Sequence, residues 1–386
     1  MNKNRRAFLT GGSSAGAAAW LLINQKVSAN ILETKAQQPA KKLVWVLLRG
    51  AMDSLHGVIP YADPHLRTHR AQLSDAIRAD ALPLSDGFSL HPALRHMHKM
   101  YLQKQMSVVV AVASGYRERS HFDGQDQMES GLDQTNHDSG WLARAMETNH
   151  KQGVAISQTI PIAMRGKKPS DSWYPPYFQE ASQDTLQRLK SLYAGNVEFS
   201  DLLGNAINSR DKFGMNDQTK YKTKFNVLAK RCGEFLHNDA EANCAMLEMG
   251  GWDTHNNQQS RLANQFNMLD QAMAELKQGL AKSWNNTVVL ISTEFGRTVA
   301  INGTQGTDHG TGSAMFMLGG SVKGGKIHGE WPGLREEQLF EKRDLQPTSD
   351  IRSWMGSVLH QHWGMSHAQL GQVFPDVQPK LARIIV

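Results

Sequence analysis

Cysteine is nearly absent. Cys232 and Cys244 are the only two in 386 residues, so the fold cannot rest on a disulfide framework. An oxidising compartment would permit one bridge between them, and two buried free thiols are the other reading. Long apolar runs are missing too. The stretch from Gly11 to Ile23 falls short of the about 20 apolar residues that a spanning helix needs, and nothing later in the chain is long enough either. No stable membrane span is expected. Acidic residues are missing from positions 1–29, where Lys3, Arg5, Arg6 and Lys26 carry four of the six net positive charges. Once that segment is removed the chain is near +2, so its basic character gives no support to a nucleic-acid partner, which would show a clustered basic face. Internal repeats are absent as well.

The first residues combine a charged start, an Arg5-Arg6 pair two positions ahead of Phe8-Leu9, a short apolar stretch and Val27-Ser28-Ala29. That order of features is a twin-arginine signal with a cleavage site after Ala29. It implies the Tat translocase as a partner during export and a periplasmic or secreted protein. Residues 30–41 read as a linker, and 42–386 as one α/β domain.

Within the domain, Leu43–Leu48, Ser107–Ala113 and Thr287–Ser292 are near-continuous apolar runs, and Ala245–Met249 is a weaker one. Runs of this kind are strands buried on both faces of a parallel sheet. Leu262, Phe266, Leu269, Met273, Leu276 and Leu280 recur at steps of three and four and predict a helix with one buried face. A second helix is expected from Pro92 to Leu102, and a third capped by Ser349-Asp350 and running to His360. Strands alternating with helices give a mostly parallel central sheet flanked by helices. The polar stretch near 167–225 reads as a helical insertion over the sheet's active edge.

Ligands of such sheets bind beyond the carboxyl ends of the strands, and those positions are unusually polar. Asp53 follows the first run; Arg117, Ser120 and His121 follow the second; Asp253 and His255 follow the third; Glu294 and Arg297 follow the fourth; and a Gly-rich loop carries Asp308 and His309. Asp53, Asp253, His255, Glu294 and His309 offer carboxylates and imidazoles suited to one or two divalent cations, with Zn, Mn and Ca as the candidates. Ser120 has two readings: an N-cap in a Ser-x-x-Asp box, or a nucleophile activated by a cation. His121 is a doubtful base for it, because neighbours at a helix start point in different directions. Each acid alone also reads as a loop cap. His91, His96 and His98 read as surface or packing residues, since their spacing does not gather them on one helix face.

Leu48–Leu55, Tyr116–Asp123, Gly250–His255, Ser292–Thr298 and Gly306–Gly310, together with the twin-arginine start, resemble the bacterial domain-of-unknown-function family numbered 1501 over nearly the whole mature chain. That family is placed in the alkaline phosphatase and sulfatase superfamily. The resemblance implies an alkaline-phosphatase-like α/β fold with a metal site at the sheet's carboxyl edge. On it, Asp53 matches the acid after the first strand, Ser120 the nucleophile, Asp253 and His255 a metal pair, Glu294 the acid of a late strand and His309 the last histidine ligand. The late strand ends in Glu294-Phe295 where the superfamily has Asp-His, and no Cys-x-Pro-x-Arg segment is present. The expected activity is hydrolysis or transfer of an anionic phosphate or sulfate ester on an envelope substrate, with Arg297 or Arg117 on the ester oxygens. The alternative is a non-catalytic periplasmic binding or assembly protein on the same fold.

Overall fold

A computed structural model describes residues 40–168, 170–175, 183–204, 224–380 and 382–386. The signal segment and all but the last two linker residues lie outside the described residues. The apolar runs form strands of one nine-stranded sheet: β1 (Lys42–Leu48), β2 (Met106–Ala113), β3 (Gln152–Ile156), β4 (Asp171–Ser172), β5 (Ala242–Met249), β6 (Thr287–Thr293), β7 (Ser313–Leu318), β8 (Lys326–His328) and β9 (Ser349–Asp350). The order is β8-β2-β7-β6-β1-β5-β3-β4, with β9 also on β2. Every pairing is parallel except those of β7, which runs against both β2 and β6.

β1 is buried along its whole length because its alternating side chains enter two cores. Val44, Val46 and Leu48 join one, and Leu43, Trp45 and Leu47 join the other. Helices supply the second wall of each. In chain order they are α1 (Leu66–Asp75), α2 (Arg95–Leu102), α3 (His121–Ser130), α4 (Trp141–Thr148), α5 (Gln183–Tyr193), α6 (Phe225–Asn238), α7 (Gln258–Leu280), α8 (Ile351–Trp363) and α9 (His367–Val373). Members of α6 and α7 fill the first core, and members of α4, α8 and α9 the second. All six periodic positions of α7, Leu262 to Leu280, are buried.

Local chemistry sets the element ends. α8 begins where the Asp350 carboxylate accepts from the Arg352 backbone N–H and satisfies one of the free donors of the first turn. α2 begins at Arg95, later than its proline suggests, because its start is capped from another helix: Asp270 of α7 accepts from the backbone N–H of His96 and Met97. His96 Nδ1 meets the same carboxylate at 2.8 Å. His91 lies in the core, where burial lowers its pKa to about 4. β5 tolerates Glu248 in a buried run because Arg49 pairs with it at 2.7 Å. Cys232 and Cys244 are buried and free. Of the stretch near 167–225, the described part contains β4 and α5.

The register places the loops. Leu48 lies beside Met249 and Thr293, so the chain leaves β1, β5 and β6 at one edge, side by side. β7 is reversed, so its first residue, Ser313, lies at that edge opposite Val112 of β2. The Gly-rich loop that precedes β7 is thereby delivered to the carboxyl ends of the other strands.

Candidate metal centre

Four side chains from two of these loops and one helix start meet at the edge. His121 opens α3, Asp253 and His255 follow β5, and His309 stands in the loop before β7. Single ligand atoms of His121, Asp253 and His309 lie within 4.8 Å of one another, a group that could hold a metal ion. His255 joins them: its Nε2 is 3.0 Å from His309 Nε2 and 3.0 Å from Asp253 Oδ1. His309 Nε2 is 3.3 Å from the same oxygen, and His121 Nε2 is 3.5 Å from Asp253 Oδ2.

The outer nitrogens decide the tautomers. His309 Nδ1 faces the backbone carbonyl of Arg119 at 2.8 Å, His255 Nδ1 faces Asp308 Oδ1 at 2.9 Å, and His121 Nδ1 faces Glu294 Oε1 at 2.7 Å. All three partners are acceptors, so each Nδ1 carries a proton and each ring turns its Nε2 inward. Three inward Nε2 atoms and a carboxylate at these distances are a donor set that one cation could bridge. His121 Nε2 is buried and has no hydrogen-bond partner. The donor set therefore fits a divalent cation, and the outer partners fix ring orientation as those of metal-bound histidines do.

The charges agree. Asp253, Glu294 and Asp308 all titrate below their usual range. Burial pushes Asp253 up, but the hydrogen bond and charge of Arg297 outweigh it. Burial likewise opposes Glu294, and bonds from His121, Gln125 and Gly50 win. For Asp308 the bond from His255 is the largest cause. Burial lowers the pKa of His309 and keeps it neutral. His121 goes the other way: burial opposes protonation, but Glu294 and Asp253 together raise its pKa. Three carboxylates, Asp253, Glu294 and Asp308, thus surround the imidazoles, a charge balance that suits a divalent ion.

Of the residues that the sequence singles out, Asp253, His255 and His309 meet directly. Glu294 stands behind His121 and also accepts from the Gly50 backbone at 2.8 Å and from Gln125 at 2.9 Å. Asp53 is engaged elsewhere: both its oxygens accept from Arg70 Nη1, at 3.0 and 2.9 Å. The hydroxyl of Ser120 accepts from the Asp123 backbone at 3.5 Å, as the N-cap of α3. Arg297 is buried and spends its donors on Asp253 and Thr307. Arg117 donates through Nη1 to the carbonyls of Ser114 and Tyr116. In the sequence His121 was weighed only as a base and not as a ligand, although it stands in the polar run after the second strand, and Arg343 went unnoticed; it donates to the His309 carbonyl at 3.0 Å while remaining 40% exposed.

Gly50 shows how tightly the edge is built. Its φ is +117°, and a Cβ there would lie 2.6 Å from the Asp253 backbone nitrogen. Only glycine combines that conformation with that approach.

A mixed α/β fold with a central, mostly parallel sheet and a His/Asp cluster at its carboxyl edge is the class that this architecture defines. Residues 40–374 match the family described as "Protein of unknown function (DUF1501)", and the chain belongs to that family. A comparison with curated proteins gave no match. Among solved structures, similarity extends to Ps i-CgsB in complex with k-i-k-neocarrahexaose, with 9% identity over 86% of this chain and 74% of that one at a TM-score of 0.42. It extends to the alkaline phosphatase of the Antarctic bacterium TAB5, with 14% identity over 73% and 91% and a TM-score of 0.36. The C-terminal periplasmic domain of EcEptC from Escherichia coli, in complex with Zn, is similar at 9% identity over 74% of each chain with a TM-score of 0.35.

Proposed function

We propose that this chain is an exported, metal-dependent hydrolase or transferase of phosphate or sulfate esters. The observation that carries the reading is the convergence of three imidazole Nε2 atoms on Asp253 while each Nδ1 is held from outside. His121, Asp253, His255 and His309 would hold the ion. A divalent cation bound there would polarise the ester and neutralise charge on its oxygens.

The chain's own residues supply the rest. Arg297 holds Asp253 in place and is not free to bind substrate, so the ester oxygens fall to Arg117, with its other nitrogens unspent, or to the exposed Arg343. Ser120 precedes His121, and its one hydroxyl contact is a long cap bond, which leaves the oxygen available as a nucleophile. Among the described residues no helix is long and apolar enough to cross a membrane, as a periplasmic or secreted protein permits.

Titrating Zn²⁺, Mn²⁺ and Ca²⁺ into chelator-treated mature protein by calorimetry is the first test, followed by phosphomonoester, phosphodiester and sulfate-ester substrates with the ion that binds. Stoichiometric binding that vanishes in Asp253→Ala and His309→Ala supports the site. Loss of turnover in Ser120→Ala with fold and metal intact assigns the attack to the serine, and retained turnover assigns it to water. A protein that binds no ion and gains no thermal stability from any of them is the non-catalytic binding protein instead. Export is tested separately: Arg5→Lys with Arg6→Lys should leave precursor in the cytoplasm, and mature protein in the periplasm would refute the signal.

A further inference from the structure

Behind the cluster lies a chain of buried polar groups without a break. At its far end, Asp53 and Arg70, each 1% exposed, form an ion pair, and Arg70 spends its other donors on the carbonyls of Val299 and Thr298 at 2.8 and 2.6 Å. At its near end, Arg297 Nη1 donates to Asp253 Oδ1 at 2.7 Å. One side chain joins the two. Gln258, the fully buried first residue of α7, donates through Nε2 to Asp53 Oδ2 at 2.6 Å. Its Oε1 accepts from Thr254 Oγ1 at 2.9 Å and from Thr307 Oγ1 at 2.6 Å. Thr307 Oγ1 in turn accepts from Arg297 Nε at 3.3 Å.

The protons in this chain have one consistent order. Both threonine hydroxyls are spent on Gln258 Oε1, so the Thr307 oxygen is free to accept from Arg297, and the Gln258 amide N–H is free for the carboxylate. A carboxamide is the group that can donate to one carboxylate and accept from two hydroxyls at once. An ionised carboxylate in its place would face Asp53 without a donor, and an alkyl group would leave Asp53, Thr254 and Thr307 each short of a bond in a dry interior. Gln258 also touches three separate site loops, those carrying residue 53, residue 254 and residue 307.

We infer that Gln258 is a positioning residue: it ties the Asp53–Arg70 pair to Arg297 and through it sets the aim of the Asp253 carboxylate. The consequence for metal binding rests on the proposed role of Asp253, whereas the consequence for Arg297 does not. Asp53 is then an anchor of the site.

The test compares Gln258→Leu and Thr307→Val, which cut the chain at two points, with Leu269→Ala, which removes a buried side chain of the same helix and leaves the chain whole. Hydrogen exchange of the Arg297 Nε–H in metal-free protein is the first readout, and Zn²⁺ affinity by calorimetry the second. Compared at matched stability in urea, exchange is expected to be at least about tenfold faster in both relay variants than in Leu269→Ala. Zn²⁺ affinity is expected to fall by about 10- to 100-fold, the usual effect of losing an outer partner of a metal ligand, with Leu269→Ala near wild type. If either relay variant that folds exchanges as Leu269→Ala does, the inference is overturned. Wild-type protein that binds no Zn²⁺ sinks the functional reading, and the Arg297 exchange then still decides the relay.

Discussion

Lowering the pH from 7 to 5 should destabilise this protein before Asp253, Glu294 and Asp308 titrate, and the size of the effect follows from three buried histidines. His362 of α8 holds the Lys42 carbonyl through Nε2 at 2.9 Å. Burial, reinforced by Lys41 and Lys151, lowers its pKa to about 4. Burial also lowers His56 to about 3 and His91 to about 4. In the unfolded chain each titrates near 6.5. A histidine with a depressed folded-state pKa contributes its stability above 6.5 and loses it as the pH falls toward the folded value, because the unfolded state binds the proton first. At about 1.4 kcal/mol per pH unit, each histidine costs about 2 kcal/mol by pH 5, and the three together about 6 kcal/mol, a large share of the 5–15 kcal/mol typical of a folded domain. His121 has the opposite sign: its raised pKa adds stability below 6.5 that is lost as the pH rises through the folded value, so it partly offsets the loss in metal-free protein. The lowered carboxylates Asp253, Glu294 and Asp308 lose their share only below about pH 4. The assay is urea unfolding at pH 7, 6, 5.5 and 5, for wild type and His362→Gln, which keeps a donor for Lys42. The variant should lose about 1.4 kcal/mol per pH unit less than wild type between 6 and 5. Parallel curves would show that His362 is not held neutral by burial.

Gly50→Ala should lower the melting temperature and weaken metal binding together, since it combines a left-handed φ, costing about 1–3 kcal/mol, with a clash at the Asp253 backbone; unchanged calorimetric titrations would refute this link between β1 and the cluster. Ser120→Ala should cost about 0.5–2 kcal/mol through the lost cap, and a melting curve identical to wild type would show that the 3.5 Å cap bond contributes nothing. Leu269→Ala, at a buried position of α7, should cost about 2–5 kcal/mol and leave Zn²⁺ affinity intact at temperatures where it is folded.

Apolar runs made β1, β2 and β6 visible in the sequence because both faces of each are buried, so no polar residue had to interrupt them. β5 was fainter because Glu248 breaks its run, and nothing local announces that Arg49, just beyond the neighbouring strand β1, will pair with it. The same limit explains Asp53. Its place after a strand suits a metal ligand, and the buried guanidinium that claims it belongs to Arg70 of α1, 17 positions further along the chain. Neighbours at the start of α3 point apart, as a helix start dictates. That divergence sends His121 to Glu294 and Asp253 and leaves Ser120 on the cap. Gln258 carried no signal at all, since a glutamine at a helix start is common and its three partners lie in loops far apart in the chain.

The strand order also dictates when the cluster can exist. Among the described residues β2, which leads into His121, pairs only with β7, β8 and β9, all of them encoded after residue 312. A nascent chain can therefore assemble β1, β5 and β6 while β2 and α3 have no place in the sheet, and closure of so distant a pairing is slow relative to local structure. His121 meets Asp253 only when β7 slots between β2 and β6. Assembly of the four-residue cluster would thus be one of the last events of folding, and a chain stalled short of β7 would lack it.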